Sequence, residues 1–371
     1  MITKYELKNG KKFIINVKII TNLQDVIDKE TVWNSFVSRT ENPLLYSKIL
    51  VSFMQYCEQN GWTPLIFTFW CNNQLIGIAP LKMKRSFYSN QISSLREDLY
   101  SDFVFLKKYR KQCMALLVDA IFTQLRCRFA SVTFDSRSPN LKRFEEECLK
   151  KKLKINKKQD LGRAVIPLEG SYNLFYSSLK NEVRKEFQRN KRRLDDFGSW
   201  KIVCVPINAE SIKTVFKIEQ KSWKETWREK NDIKEDFMLR IFLESSQSFE
   251  GTNTPYASEV WFLEVNGKAI AYQIVFLHND VSIFLKTSFN WLFRKFGAGK
   301  FLMNSVIRET YKNKSVKKID FITNLPLVQT WNAKCEPRTR VIVDVNPFLS
   351  RIFHIITSNR TFRKIGFKLK F

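Results

Sequence analysis

Histidine is nearly missing from this chain: His278 and His354 are the two in 371 residues. Neither has a Cys or His neighbour at ligand spacing, which excludes a zinc site or a Ser-His-Asp triad as the organising chemistry. The seven cysteines (Cys57, Cys71, Cys113, Cys127, Cys148, Cys204, Cys335) form no C-x-x-C pair. They read as small core residues in a reducing compartment rather than a disulfide frame. No stretch reaches the roughly 20 uninterrupted apolar residues of a spanning helix. Met1 to Glu6 lacks an apolar signal core, and Phe13 to Ile20 is broken by Lys18, so the expected location is the cytoplasm. Acidic residues are also short, 36 Asp and Glu against 63 Lys and Arg, leaving a formal charge of +27. That favours an anionic partner, whether nucleic acid, a phosphate-bearing cofactor or an acidic lipid surface. Abundant surface lysine alone is the plainer explanation.

Apolar material is plentiful. Hydrophobic residues make up 44% and aromatics 14%, with 32 Phe, enough for substantial cores. The length suggests two domains. Strand and helix patterns alternate through the first half, including a hairpin of Pro64–Cys71 and Gln74–Met83 turned at Asn72-Asn73. An α/β layer is the economical reading. Lysines 150–152 and 157–158 mark the expected junction near residue 160. In the second half a strand at 163–168 precedes one long helix, 171–197, with apolar Phe175, Leu179, Val183, Phe187 and Leu194 on one stripe. Its other faces are basic: Lys180, Arg184, Lys185, Arg189, Lys191, Arg192 and Arg193. That is either a solvated face or an electropositive wall. Helices are expected at 209–227, with Trp223 and Trp227, and at 236–244. Three strands follow, 259–265, 268–278 and 280–289, with hairpin chemistry at Asn266-Gly267.

The most informative stretch comes next. Arg294-Lys295-Phe296-Gly297-Ala298-Gly299-Lys300 separates a strand, Asp280 to Thr287, from a helix beginning at Phe301. Glycines let a backbone turn expose N–H groups, and a helix start has unpaired donors and a positive dipole end, so this is a place for an anion. A Walker loop would need Gly at 294 and Ser or Thr at 301. A dinucleotide loop would need Gly or Ala at 302, where Leu stands. The spacing Arg-x-x-Gly-x-Gly instead resembles the pyrophosphate loop of the GCN5-related N-acetyltransferases (GNAT).

Further phrases in order resemble one branch of that superfamily, the CelD-like acetyltransferases of polysaccharide biosynthesis, which are similar to the FemAB peptidyltransferases. They are Ser178, Leu179, Arg184, Arg189, Arg192, Leu194 and Gly198; the helix with Trp223; Asn266 to Ala271; the glycine loop; and Asp320-Phe321. In the first half, Asn73 to Leu81 and Ser101-Asp102-Phe103 resemble the leading region. The resemblance implies an α/β (α+β) chain of two GNAT-like domains in tandem, each a mixed, mostly antiparallel sheet flanked by helices. The expected bounds are 1–160, 161–345 and a basic amphipathic segment 346–371.

The implied chemistry is metal-free acyl transfer from acetyl-CoA or another acyl-CoA to a sugar or cell-envelope precursor. Arg294, Lys295, Phe296, Gly297, Ala298, Gly299 and Lys300 would hold the diphosphate, and Leu285, Lys286 and Thr287 would pair with pantetheine. Asp320 and Glu219 are the general-base candidates, each also readable as a structural hydrogen-bonding partner. The family often has Gly and then Tyr-Lys after the Asp-Phe strand. Here Asn324 stands near the expected Gly and Leu327-Val328-Gln329 precedes Trp331, which bears on the acceptor side and on catalytic competence. Two alternatives stay open: a FemAB-type transferase drawing on aminoacyl-tRNA, and a non-catalytic basic binding module. The segment 346–371, basic and aromatic, either packs as a last helix and strand or lies on an anionic membrane, placing the protein on its inner face.

Overall fold

The computed structural model describes residues 2–6, 12–85, 90–96, 100–222 and 256–345. The expected helix at 236–244, the Trp223 and Trp227 positions and the segment 346–371 lie outside the described residues. The chain opens with strands β1 (Ile2–Glu6) and β2 (Lys12–Ile20), then helices α1 (Gln24–Ile27), α2 (Glu30–Val37) and α3 (Ser47–Gln59). Strands β3 (Thr63–Cys71) and β4 (Gln74–Arg85) form the expected hairpin. Asn72 and Asn73 both take positive φ, 49° and 60°, as a two-residue hairpin turn requires. Strands β5 (Asn90–Ser94) and β6 (Val104–Phe105), helix α4 (Arg110–Asp119), strand β7 (Cys127–Asp135) and helix α5 (Pro139–Lys150) complete this half.

Strand β8 (Lys154–Pro167) runs unbroken through residue 160. Helices α6 (Tyr172–Ser178) and α7 (Asn181–Phe197) replace the single helix expected at 171–197. The break falls at Leu179, extended at φ −68° and ψ 151° and 2% exposed. Leaving the helix there seats this side chain in the core, a gain of about 1.5–3 kcal/mol that exceeds the loss of one helical residue. The chain continues with β9 (Trp200–Pro206), α8 (Ala209–Gln220), β10 (Tyr256–Val265), β11 (Lys268–His278), β12 (Val281–Phe289), α9 (Ala298–Thr310), β13 (Lys318–Asp320), α10 (Pro326–Gln329) and β14 (Lys334–Asp344).

The strands make one 14-stranded sheet in the order β1-β2-β3-β4-β5-β7-β14-β8-β13-β12-β11-β10-β9, with β6 on β4. Pairs β5·β7 and β12·β13 are parallel and the others antiparallel. The fold is therefore mixed α/β with two sheet regions, joined where β14 returns from the end of the chain to pair with both β7 and β8. On the first region α4 and α5 cover one face, packing Leu117 and Phe144 against Phe67, Phe69 and Ile76. On the second, α7 and α9 bury Phe187, Leu194, Leu302 and Val306 against Ala271, Val275 and Phe284. The opposite face is shared: Ile212, Val215 and Ile218 of α8 join Trp33 and Phe36 of α2 over Ile274, Phe276 and Ile283. That shared core ties the two halves together at the face where β12 and β13 part.

Candidate active site

Strands β12 and β13 pair only from Val281↔Lys318 to Ile283↔Asp320. Beyond that point β12 continues to Phe289 while β13 stops and the chain reverses through Ile322, at φ 62°. Two parallel strands thus part beyond Ile283 and Asp320. Strand β12 carries a bulge there: Phe284 lies opposite Val275 and Lys286 opposite Ile274, leaving Leu285 without a counterpart. A bulge bends its strand and re-aims the backbone. The Gln273 side chain steadies the bend by donating to the Lys286 carbonyl at 3.2 Å, and Thr287 Oγ1 donates to the Tyr272 carbonyl at 2.9 Å.

After β12, Asn290 caps a 3-10 helix over Trp291–Phe296, and Gly297 turns the chain in the left-handed region at φ 58°. The sequence suggests a helix from Phe301, but α9 already begins at Ala298. Ala298, Gly299 and Lys300 therefore form its first turn. Among the described residues their three N–H groups meet no backbone or side-chain acceptor, whereas Phe301 N donates to the Gly297 carbonyl at 2.9 Å. Gly297 is favoured by its left-handed φ and by Asn190 Nδ2, 2.2 Å from where a Cβ would stand, whereas a Cβ on Gly299 would press on the Phe289 ring at 3.1 Å and ask it to give by a few tenths of an ångström.

Helix α7 walls this turn. Arg193 Nη1 donates to the Lys295 carbonyl at 2.8 Å, and Lys300 Nζ lies 3.1 Å from both oxygens of Glu186. Asn190 is 2% exposed, and its Nδ2 finds no partner among the described residues. It shares the apolar stripe of Phe187 and Leu194, and a polar residue on that stripe was the available signal. Arg294 and Lys295 are exposed while Phe296 is buried. The seven residues 294–300 thus gather at one helix start, with 285–287 on the strand leading to it. Three free amides, a positive dipole end and nearby cations suit a diphosphate or another anion.

The two candidate bases are deeply set. Asp320 is 0% exposed; its Oδ2 accepts from Arg163 Nη1 and the Tyr100 hydroxyl, both at 2.6 Å, and its Oδ1 from Ile322 N at 2.7 Å. Arg163 also bonds Glu336 at 2.9 Å and Asp135 at 3.1 Å. Burial, and then the Asp320 charge, push the Tyr100 hydroxyl well above its ordinary range. Burial works against the Arg163 charge, but Asp320 and its other anionic neighbours outweigh it. Glu219, on α8, is 0% exposed and lies 3.1 Å from Lys286 Nζ. Neither Arg163 nor Tyr100 stands out in the sequence, because both owe their setting to the meeting of the two halves.

Tyr100 and Arg163 line a cavity of about 560 Å³ between the halves. Its walls include Arg39, Lys107, Arg110 and Arg137, none within ion-pair distance of a carboxylate among the described residues. Asp102 also lines it and accepts from Phe103 N at 2.7 Å and Asn140 Nδ2 at 2.9 Å. Burial pushes its carboxyl up to about 6. Among the described residues no cluster of His, Cys, Asp and Glu is arranged to hold a metal ion, and no helix is long and apolar enough to cross a membrane.

Residues 181–325, which contain the parting strands, the glycine turn and Asp320, match the model of the acetyltransferase (GNAT) domain. No curated protein matches the chain in sequence. Among solved structures, FemX is 11% identical over 88% of this chain and 96% of its own, with a TM-score of 0.57. The C-terminal domain of an assigned lysylphosphatidylglycerol synthetase from Agrobacterium fabrum is 10% identical over 90% and 95%, at 0.54. L-PGS from Bacillus licheniformis is 8% identical over 91% and 96%, at 0.52. At such identities the likeness concerns the fold, and it runs through both halves. The chain therefore carries an acetyltransferase (GNAT) domain at residues 181–325, within a fold similar to that of FemX.

Proposed function

We propose that the chain transfers an acyl group from an activated donor lying along β12 and the start of α9 to an acceptor bound in the cavity between the halves. The observation that carries this reading is the parting of β12 and β13 beside three unpaired amides. An acyl donor needs one end anchored and its carbonyl presented to backbone donors. The bulge at Leu285 supplies the bend for presentation, and the first turn of α9 supplies the anchor.

In the transfer itself the acceptor nitrogen or oxygen attacks the donor carbonyl, and N–H groups near Leu285 stabilise the oxyanion. The bond to the leaving sulfur or oxygen then breaks, and the acceptor proton passes to that atom. Asp320 and Glu219 serve in this reading as positioning residues: Asp320 fixes the end of β13 through Arg163 and Tyr100, and Glu219 holds Lys286 beside the bulge. Arg39, Lys107, Arg110 and Arg137 line the cavity together with Glu41, Asp102, Asp135 and Glu336, a polar setting that suits a hydroxyl- or amine-bearing acceptor such as a sugar or cell-envelope precursor.

For the donor, the likeness to FemX across nine-tenths of the chain favours an aminoacyl group delivered by aminoacyl-tRNA. The C-terminal domain of the assigned lysylphosphatidylglycerol synthetase, similar in fold, points the same way. The exposed basic face of α7 supplies phosphate contacts beside the parting strands. A second donor, acyl-CoA, is favoured by the glycine turn: the free amides of Ala298, Gly299 and Lys300 fit its diphosphate, and when bound it would supply the thioester. Calorimetric titration with aminoacyl-tRNA and with acetyl-CoA decides between them. The first reading predicts tRNA binding that weakens steeply with salt and no CoA binding; the second predicts CoA binding with little tRNA affinity. Binding of neither overturns the transferase reading.

A further inference from the structure

The 3-10 helix that leads into the glycine turn exposes an aromatic ring at its first position. Trp291 is 45% exposed, beside Leu292 at 74%. Its backbone N is fixed by the Lys221 carbonyl at 2.8 Å, so the indole stands on an anchored point. Its ring centroid lies 6.1 Å from that of Phe289, tilted by 31°, and the Phe289 ring lies 3.1 Å from where a Gly299 Cβ would be. Trp291 is therefore one aromatic ring away from the first turn of α9. The Arg294 guanidinium carbon sits 5.3 Å from the indole centroid, and Arg294 itself is exposed.

An exposed indole contributes little to folding, since water covers much of its area. As a ligand surface it has clear chemistry: a flat π-face takes another flat ring, and an adjacent guanidinium both polarises the stack and neutralises phosphate. Phe289 alone stands between the indole and Gly299, so a ligand with a flat base on one side of its phosphates can meet both the ring and the first turn of α9. Both donors considered above contain an adenosine nucleotide, in CoA beside the diphosphate and in aminoacyl-tRNA at the 3′ end.

We propose that Trp291 is the platform on which the donor's adenine stacks, with Arg294 holding the phosphate beside it. This deepens the transferase reading and rests on it. The indole reads the base, while the amides of Ala298, Gly299 and Lys300 read the phosphates. The two tasks are separable, and so are their failures.

The test is calorimetry on the full chain and its Trp291→Ala and Trp291→Phe variants, with melting curves to show equal folding. One arm uses CoA against 4′-phosphopantetheine, which lacks the purine. The other uses an aminoacylated RNA minihelix against one whose terminal adenine is removed. The proposal expects Trp291→Ala to lose about tenfold or more in affinity for the purine-bearing probe, to leave the purine-free probe unchanged, and Trp291→Phe to recover most of the loss. The arm in which this occurs identifies the source of the adenosine. Equal loss for both probes would mean a structural role, and no loss for either would mean no stacking; each overturns the inference and leaves the transferase reading intact. A wild-type chain that binds none of the probes overturns both.

Discussion

A chain carrying Gly299→Leu is expected to lose donor binding by about 100-fold or more while still folding, because the site depends on amides that a side chain would cover. Gly299 lies in the first turn of α9, and its added Cβ would already press on Phe289 at 3.1 Å. A leucine must displace that ring or project over the N–H groups of Ala298 and Lys300. Gly267→Leu is the matching control. Gly267 is at φ 74° with nothing within 4 Å of its Cβ position, so that variant incurs turn strain of about 1–2 kcal/mol and should keep donor affinity. Titration of both variants with the donor bound by the wild type, together with their melting curves, checks the expectation. Full affinity in Gly299→Leu would remove the anchor from the account.

Asp320→Ala should destabilise the chain by about 3 kcal/mol, because it removes the most buried of the carboxylates that hold the Arg163 cation and leaves a buried hydroxyl without its acceptor. Arg163 is 6% exposed and would face Glu336 and Asp135 with its shortest contact gone, and the Tyr100 hydroxyl would lose its acceptor. The loss falls at the joint between the halves, so denaturant unfolding should show a lower midpoint for a transition that includes both. A change below about 1 kcal/mol, the size expected of an exposed pair, would show that the network does not hold the joint. If Asp320 were instead the proton acceptor in transfer, Asp320→Asn would lose turnover by far more than its loss of stability accounts for, so turnover measured on the folded variant separates the roles.

Local signals carried much of the fold. The Asn72-Asn73 and Asn266-Gly267 turns depend on neighbours a few residues away, and each stands where the pattern puts it. What escaped depends on distant partners. Strand β14 contains Pro337 and a run of charges, and becomes a strand only because β7 and β8 offer it edges on both sides. The helix break at Leu179 follows from a core assembled by α9 and β13, which lie more than a hundred residues on.

The site divides in the same way. Gly297 and Gly299 were readable because a backbone need shows directly as residue type. Asn190 was hidden in a helix whose arginines and lysines suggest a solvated face, although its place between Phe187 and Leu194 marks it as inward. Asp320 was readable as a carboxylate at the end of a strand. Its partners Arg163 and Tyr100 lie 157 and 220 residues away in sequence, and no spacing rule links them.

Donor anchoring depends most on the first turn of α9. Its amides can be observed directly by hydrogen exchange or by their chemical shifts, with and without the donor that the chain binds. The predicted result is that Ala298, Gly299 and Lys300 become protected and shift on donor addition, with smaller changes along Leu285 to Thr287. Donor bound at saturation with those three amides exchanging as before would contradict it.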